Sequence, residues 1–125
     1  MAHAFRRAVE ARDQEAMGAA LAPDVQLHSP VAFRPFDGRE AAIGVLSAIS
    51  TVFEDFEYTD EIESGDTVAL LFRARVGEKA VQGLDFLRLG EDGLIREFTV
   101  MLRPRSAIVA VGERMAPKVE GLAKA

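Results

Sequence analysis

The sequence predicts an α+β fold in which helices cover one face of an antiparallel sheet that curves around a cavity. Two observations carry this expectation. Apolar residues in the first fifty or so positions recur three or four apart, the spacing of amphipathic helices, whereas from Phe56 the period becomes two and stays so for about fifty residues. Short turns rich in Gly, Asp and Glu separate the candidate strands, so consecutive strands run antiparallel.

Phe5, Ala8 and Val9 mark a first helix and Ala16, Met17, Ala20 and Leu21 a second. Asp13 has the side chain of an N-cap and predicts a break between them. Pro23 and Asp24 end this region. Val25 to Ser29 alternates as a short strand closed by Pro30, and Phe33 to Gly38 reads as a loop. A third helix starts at Asp37 or Gly38 and carries the stripe Ala42, Ile43, Leu46, Ile49 and Phe53. Strands are predicted over Phe56 to Glu63, Thr67 to Val76, Ala80 to Leu89 and Leu94 to Arg103. Pro104 stops the last of them, Ser106 to Met115 makes a closing helix, and the tail after Pro117 is expected to fray. No linker or repeat interrupts residues 1–125, which read as a single domain.

Composition narrows the function classes. The chain has 125 residues, 49% of them hydrophobic, enough for a real core without disulfides or a structural metal. It has no Cys, which removes disulfides, thiol nucleophiles and thiolate metal sites together. Its two His, His3 and His28, do not supply a zinc-binding arrangement, so no metal and no cofactor are expected. A net charge of -5 argues against nucleic acid as a partner. The longest apolar runs, Val68 to Phe72 and Ala107 to Val111, fall far short of the roughly 20 residues of a membrane span. With no secretory signal at the N-terminus, the expected location is cytoplasmic.

Strand alternation groups the candidate site residues. Val68, Leu70 and Phe72 share one face, with Arg73 and Arg75 on the other, while Phe98, Val100 and Leu102 share a face of the last strand. The odd member is Asp85, in phase with Val81, Gly83 and Leu87. The opposite row, Gln82, Leu84, Phe86 and Arg88, is also half apolar, so periodicity leaves open which row faces the cavity.

Three stretches resemble a known family. They are Ala22-Pro-Asp-Val-Gln-Leu-His-Ser-Pro-Val-Ala-Phe-Arg-Pro-Phe-Asp-Gly-Arg-Glu-Ala-Ala-Ile43, Asp85-Phe-Leu-Arg-Leu-Gly-Glu-Asp-Gly-Leu-Ile95 and Val100-Met-Leu-Arg-Pro-Arg-Ser-Ala107. With the compatible helix order they are similar, over roughly residues 4 to 110, to the nuclear transport factor 2-like (cystatin-like) superfamily, in its SnoaL-like and ketosteroid-isomerase branch. The resemblance implies a conical cavity between the sheet and the N-terminal helices.

It also implies roles. Ketosteroid isomerase uses an Asp base, a Tyr on the first helix and a second, protonated Asp. Asp85 matches that second Asp, but the base position holds Ser29 and the Tyr position holds Phe5. A Ser hydroxyl without a base of its own takes no carbon-bound proton, and Phe5 has no proton to donate. His28 is next to Ser29 but points to the opposite face of the strand, which makes it a weak substitute. Matching Asp85 turns its row inward. Phe5, Ser29, Val45, Val68, Leu70, Phe72, Gly83, Phe98, Val100 and Leu102 then line an apolar pocket around one carboxyl, which desolvation keeps protonated as a donor to a ligand carbonyl or phenolate. The bland alternative bonds Asp85 to a backbone group, Arg73 or Arg103. The outer face, with Arg73, Arg75, Arg88, Glu97 and Met101, suits a homodimer contact.

Three functional readings follow: a binder of a small hydrophobic, cyclic or aromatic ligand anchored by Asp85; an isomerase, lyase or cyclase with Asp85 as its acid or base; and a structural dimer whose cavity is filled by its own side chains.

Overall fold

A computed structural model describes residues 3–119. Its elements are α1 (Ala4–Glu10), α2 (Gln14–Ala19), β1 (Leu21–His28), β2 (Phe36–Asp37), α3 (Arg39–Val52), β3 (Glu54–Ser64), β4 (Thr67–Val76), β5 (Lys79–Leu89), β6 (Ile95–Arg103) and α4 (Arg105–Val119). The six strands form one curved, open sheet in the order β2-β1-β6-β5-β4-β3.

The predicted break between the first helices is present. Asp13 accepts from the Ala16 amide at 3.1 Å, and Arg12 just before it takes a left-handed φ of 55°. α1 is capped by His3, whose Nδ1 accepts from the Phe5 amide at 3.0 Å. The hairpin turns after β3 and β4 rest on Gly65 and Gly77, both at positive φ. β4 and β5 keep the alternation read from the sequence: Val68, Leu70 and Phe72 on β4 and Val81, Gly83, Asp85 and Leu87 on β5 are all buried, whereas register shifts interrupt it in β3 and at the start of β6. α3 packs on β1 and on α4, closing the core over the inner face of the sheet. Fully burying each Leu or Phe of that core contributes about 1.5–3 kcal/mol.

Four local expectations are corrected. β1 begins at Leu21, not Val25; Leu21 leaves the helical stripe because its own burial is complete in the sheet opposite Ile95, where Arg39 donates twice to its carbonyl, at 3.1 and 2.6 Å. Pro23, read as a terminator, lies inside β1 where the ladder to β6 shifts register, the place a strand tolerates a residue with no N–H. The loop after Pro30 contains β2, because Phe36 is buried against Leu27 and Gln26 donates to Asp37 Oδ1 at 2.9 Å. α4 continues past Pro117 to Val119, since buried Met115 holds its last turns on the core, and the tail from 120 to 125 lies outside the described residues. In an otherwise antiparallel sheet, the β1–β6 pair is parallel. No helix among the described residues is long and apolar enough to cross a membrane.

Candidate functional site

Asp85 sits midway along β5, between Leu70 of β4 and Val100 of β6. Its row faces inward, and the residue is 7% exposed. Burial pushes the carboxyl from its ordinary 3.8 up to about 7, partly offset by a hydrogen bond from Tyr58 that favours the ionised form. Tyr58 Oη donates to Asp85 Oδ2 at 3.5 Å. Burial, followed by the adjacent Asp85 charge, raises the Tyr58 phenol far above its usual range, so it remains an O–H donor. Arg73 and Arg103, considered as partners for Asp85, lie elsewhere: Arg73 is on the exposed face and Arg103 donates to Gln82 at 2.9 Å.

Tyr58 is the functional candidate that sequence reasoning missed. Six of the eleven residues of β3 are acidic and its outer side is exposed, yet Phe56 and Tyr58 alternate with Glu57 and turn inward. Register shifts on either side, between Glu54 and Glu57 and between Tyr58 and Asp60, re-aim this short stretch so that Tyr58 stands opposite Phe72. The aromatic pair within an acidic strand was a legible signal; the bulges that aim it were not.

α1 covers this corner. Phe5 meets Phe98 edge-on at 5.0 Å, and the Arg6 guanidinium lies over the Tyr58 ring at 5.6 Å. Arg6 is held by Glu10 at 3.3 Å and by Glu61 of β3 at 3.4 Å, and Glu61 also accepts from the His3 amide at 2.9 Å.

The other predicted site residues fall into two groups. Phe5, Val68, Leu70, Phe72 and Phe98 are at most 1% exposed, and Val45 is buried with them. Gly83 lies directly beneath the Phe72 ring: a Cβ there would stand 2.7 Å from Cε2 and closer still to Cζ. Phe72 also contacts Phe53 and Phe56, at 5.6 and 4.8 Å, so this end of the interior is occupied by aromatic side chains. In contrast, His28, Ser29, Val100 and Leu102 border a depression of about 570 Å³, together with Pro30, Ala32, Phe33, Thr99, Met101 and Ile108. Its ten lining residues include no Asp, Glu, Lys or Arg. It opens where β1 ends opposite Thr99 and leaves the rest of β6, and Val100 is the register neighbour of Asp85. Ser29 Oγ accepts from the amides of Ala32 and Val31, at 3.2 and 3.4 Å, as a turn hydroxyl does. His28 Nε2 lies 3.7 Å from Glu97 Oε2 on the outer face.

A second depression, of about 760 Å³, lies over the charged outer ends of β1, β5 and β6, bordered by Asp24, Asp37, Asp66, Glu91, Glu97, Arg88 and Arg96. Its ion pairs are long and exposed, as with Arg88 to Glu97 at 3.6 Å and Arg96 to Asp24 at 3.5 Å, and each contributes little. Among the described residues no three His, Asp or Glu are grouped to hold a metal.

A curved open sheet with helices over its inner face, holding a buried carboxyl and phenol, defines a cystatin-like α+β protein. The family model of the SnoaL-like domain matches residues 2–98, and the chain belongs to that family. It is similar to a steroid delta-isomerase from Pseudomonas aeruginosa, with 37% identity over 93% of this chain and 86% of that one and a TM-score of 0.87. It is equally similar in shape to an uncharacterized bacterial protein with a cystatin-like fold from Silicibacter pomeroyi DSS-3, with 31% identity, 94% and 84% coverage and a TM-score of 0.88. An NTF2-like protein of unknown function from Cytophaga hutchinsonii ATCC 33406 shares the fold at 19% identity, with 83% and 88% coverage and a TM-score of 0.65. No curated protein matches the chain.

Proposed function

We propose that this chain binds a small hydrophobic molecule, cyclic or aromatic, with Asp85 hydrogen-bonded to its polar atom. The observation that carries the reading is a carboxyl buried in an apolar row with a pKa raised to about 7. Below that pH it is a neutral acid, able to donate to a carbonyl or phenolate oxygen. The uncharged depression at the end of β1 supports it through Val100, which borders that depression and is the register neighbour of Asp85, although Asp85 itself does not line it. The test is a melting-temperature shift across steroids, phenols, aromatic ketones and polyketide-like compounds. A shift in wild type that Asp85→Ala abolishes supports the reading; no shift with any compound overturns it and leaves the interior a filled structural core.

A second reading, isomerase or lyase chemistry with Asp85 as the acid or base, is favoured by the 37% identity to the Pseudomonas aeruginosa steroid delta-isomerase. Asp85→Asn separates the two. Its amide still donates, so binding survives in the variant while proton transfer is lost. The exposed mixture of Arg73, Arg88 and Met101 on the outer sheet face supports a homodimer there, which sedimentation velocity of wild type and Arg73→Glu decides.

A further inference from the structure

We infer that Tyr58 is a positioning residue for Asp85: its hydroxyl, delivered from β3, engages Oδ2 and leaves the carboxylic proton on Oδ1 for a ligand oxygen. This rests on the reading of Asp85 as the polar anchor. Three observations carry it. Tyr58 and Asp85 are 8% and 7% exposed, and Tyr58 Oη donates to Oδ2 at 3.5 Å. The residue that α1 presents to this corner is Phe5, which has no hydroxyl and whose ring meets Phe98, so the phenol here is supplied by β3 rather than by α1. The Tyr58 ring is also held on several sides, edge-on to Phe56 at 4.9 Å and to Phe72 at 6.3 Å, with the Arg6 guanidinium 5.6 Å from its centre.

A phenol held this way has little freedom to swing, and it keeps its hydroxyl facing one oxygen of the carboxyl, Oδ2. A protonated carboxyl has one O–H, and when Tyr58 donates to Oδ2 that proton resides on the other oxygen. The ionisable groups around the pair are Arg6 and Glu10 from α1 and Glu61 from β3, with His3 capping α1 beside them; the register neighbours of Asp85, Leu70 and Val100, are apolar.

The experiment uses the full chain and 2-acetylnaphthalene, a bicyclic ketone that accepts hydrogen bonds and donates none. In wild type its affinity falls as Asp85 ionises; in Asp85→Asn it is independent of pH. Tyr58→Phe is expected to bind about fivefold more weakly. The pH at which its affinity is half lost moves upward, because the donor that favours the carboxylate is gone. A role confined to packing moves neither quantity in that way.

The chain contains one Tyr, so growth on 3-fluorotyrosine labels Tyr58 alone. Its fluorine resonance is expected to follow the Asp85 ionisation and to lose that titration in Asp85→Asn, a measurement that holds even if Tyr58→Phe folds poorly. If wild type fails to bind the ketone, or binds it equally well after Asp85→Ala, the anchor reading falls. If binding depends on Asp85 while Tyr58→Phe keeps the wild-type affinity and midpoint, or the fluorine signal ignores Asp85, the role of Tyr58 alone is overturned.

Discussion

Asp85→Asn removes a titratable proton from the interior while keeping the shape of the side chain, and an amide oxygen still accepts from Tyr58. In the folded chain the carboxyl titrates at about 7, against 3.8 as its ordinary value. Between those values the native state holds a proton that the unfolded chain has already released. Its pKa is raised, so wild-type stability is full below about pH 4 and falls as pH rises through about 7. At about 1.4 kcal/mol for each pH interval spanned, the loss is about 2 kcal/mol at pH 5, about 3 at pH 6 and about 4 once the folded carboxyl has ionised. Asn carries no such loss. The assay is urea unfolding followed by circular dichroism at about pH 4.5, 6 and 8, with the two chains compared at each pH. Subtraction matters because burial also lowers the pKa of the His3 imidazole, which costs stability on the acid side in both chains. A difference between wild type and Asp85→Asn that stays flat across this range refutes the argument, since it means the carboxyl ionises in the fold as readily as in water.

Three further outcomes are expected. Gly83→Ala drives a methyl into the Phe72 ring, which Phe53 and Phe56 prevent from yielding, and should destabilise by about 1–3 kcal/mol in thermal unfolding. Arg39→Ala removes both donors to the Leu21 carbonyl and should cost about 1–3 kcal/mol, read from the urea midpoint at unchanged slope. Leu102→Trp fills the mouth beside Val100; it should abolish ligand-induced melting shifts, and full retention of those shifts would move the entry route elsewhere.

The long hairpins were legible because period-two alternation survives along β4 and β5, but that pattern left open which row of β5 faces inward, and it was the family resemblance that turned the Asp85 row in. In β6 the register shift beside Leu89 breaks the alternation, so Ile95 and Phe98, three apart, are both buried. Leu21 was misplaced because a helical stripe and a strand entering the core can share the same apolar residue, and the deciding contact, Ile95, is over seventy residues away in sequence. β2 escaped notice because two residues carry no period; only the partner Leu27 makes Phe36 a strand residue. The site divided in the same way. Asp85 announced itself as a charge in an apolar row, a one-dimensional signal. Tyr58 did not, because its direction depends on bulges in β3, and a bulge exists only relative to the strand it pairs with. The depression at the end of β1 likewise depends on where β1 parts from β6.

β3 has a further consequence, for growth rather than for binding. It is the free edge of the sheet, with a row of backbone groups open to another strand. At Glu54, Asp55, Glu57, Asp60, Glu61 and Glu63 that edge carries carboxylates, so a second copy pairing along it would bring six more of the same sign against them. The opposite edge ends in β2, two residues long and too short to template a strand. The sheet is therefore self-terminating in both directions, and its width is limited by charge at one border and by brevity at the other.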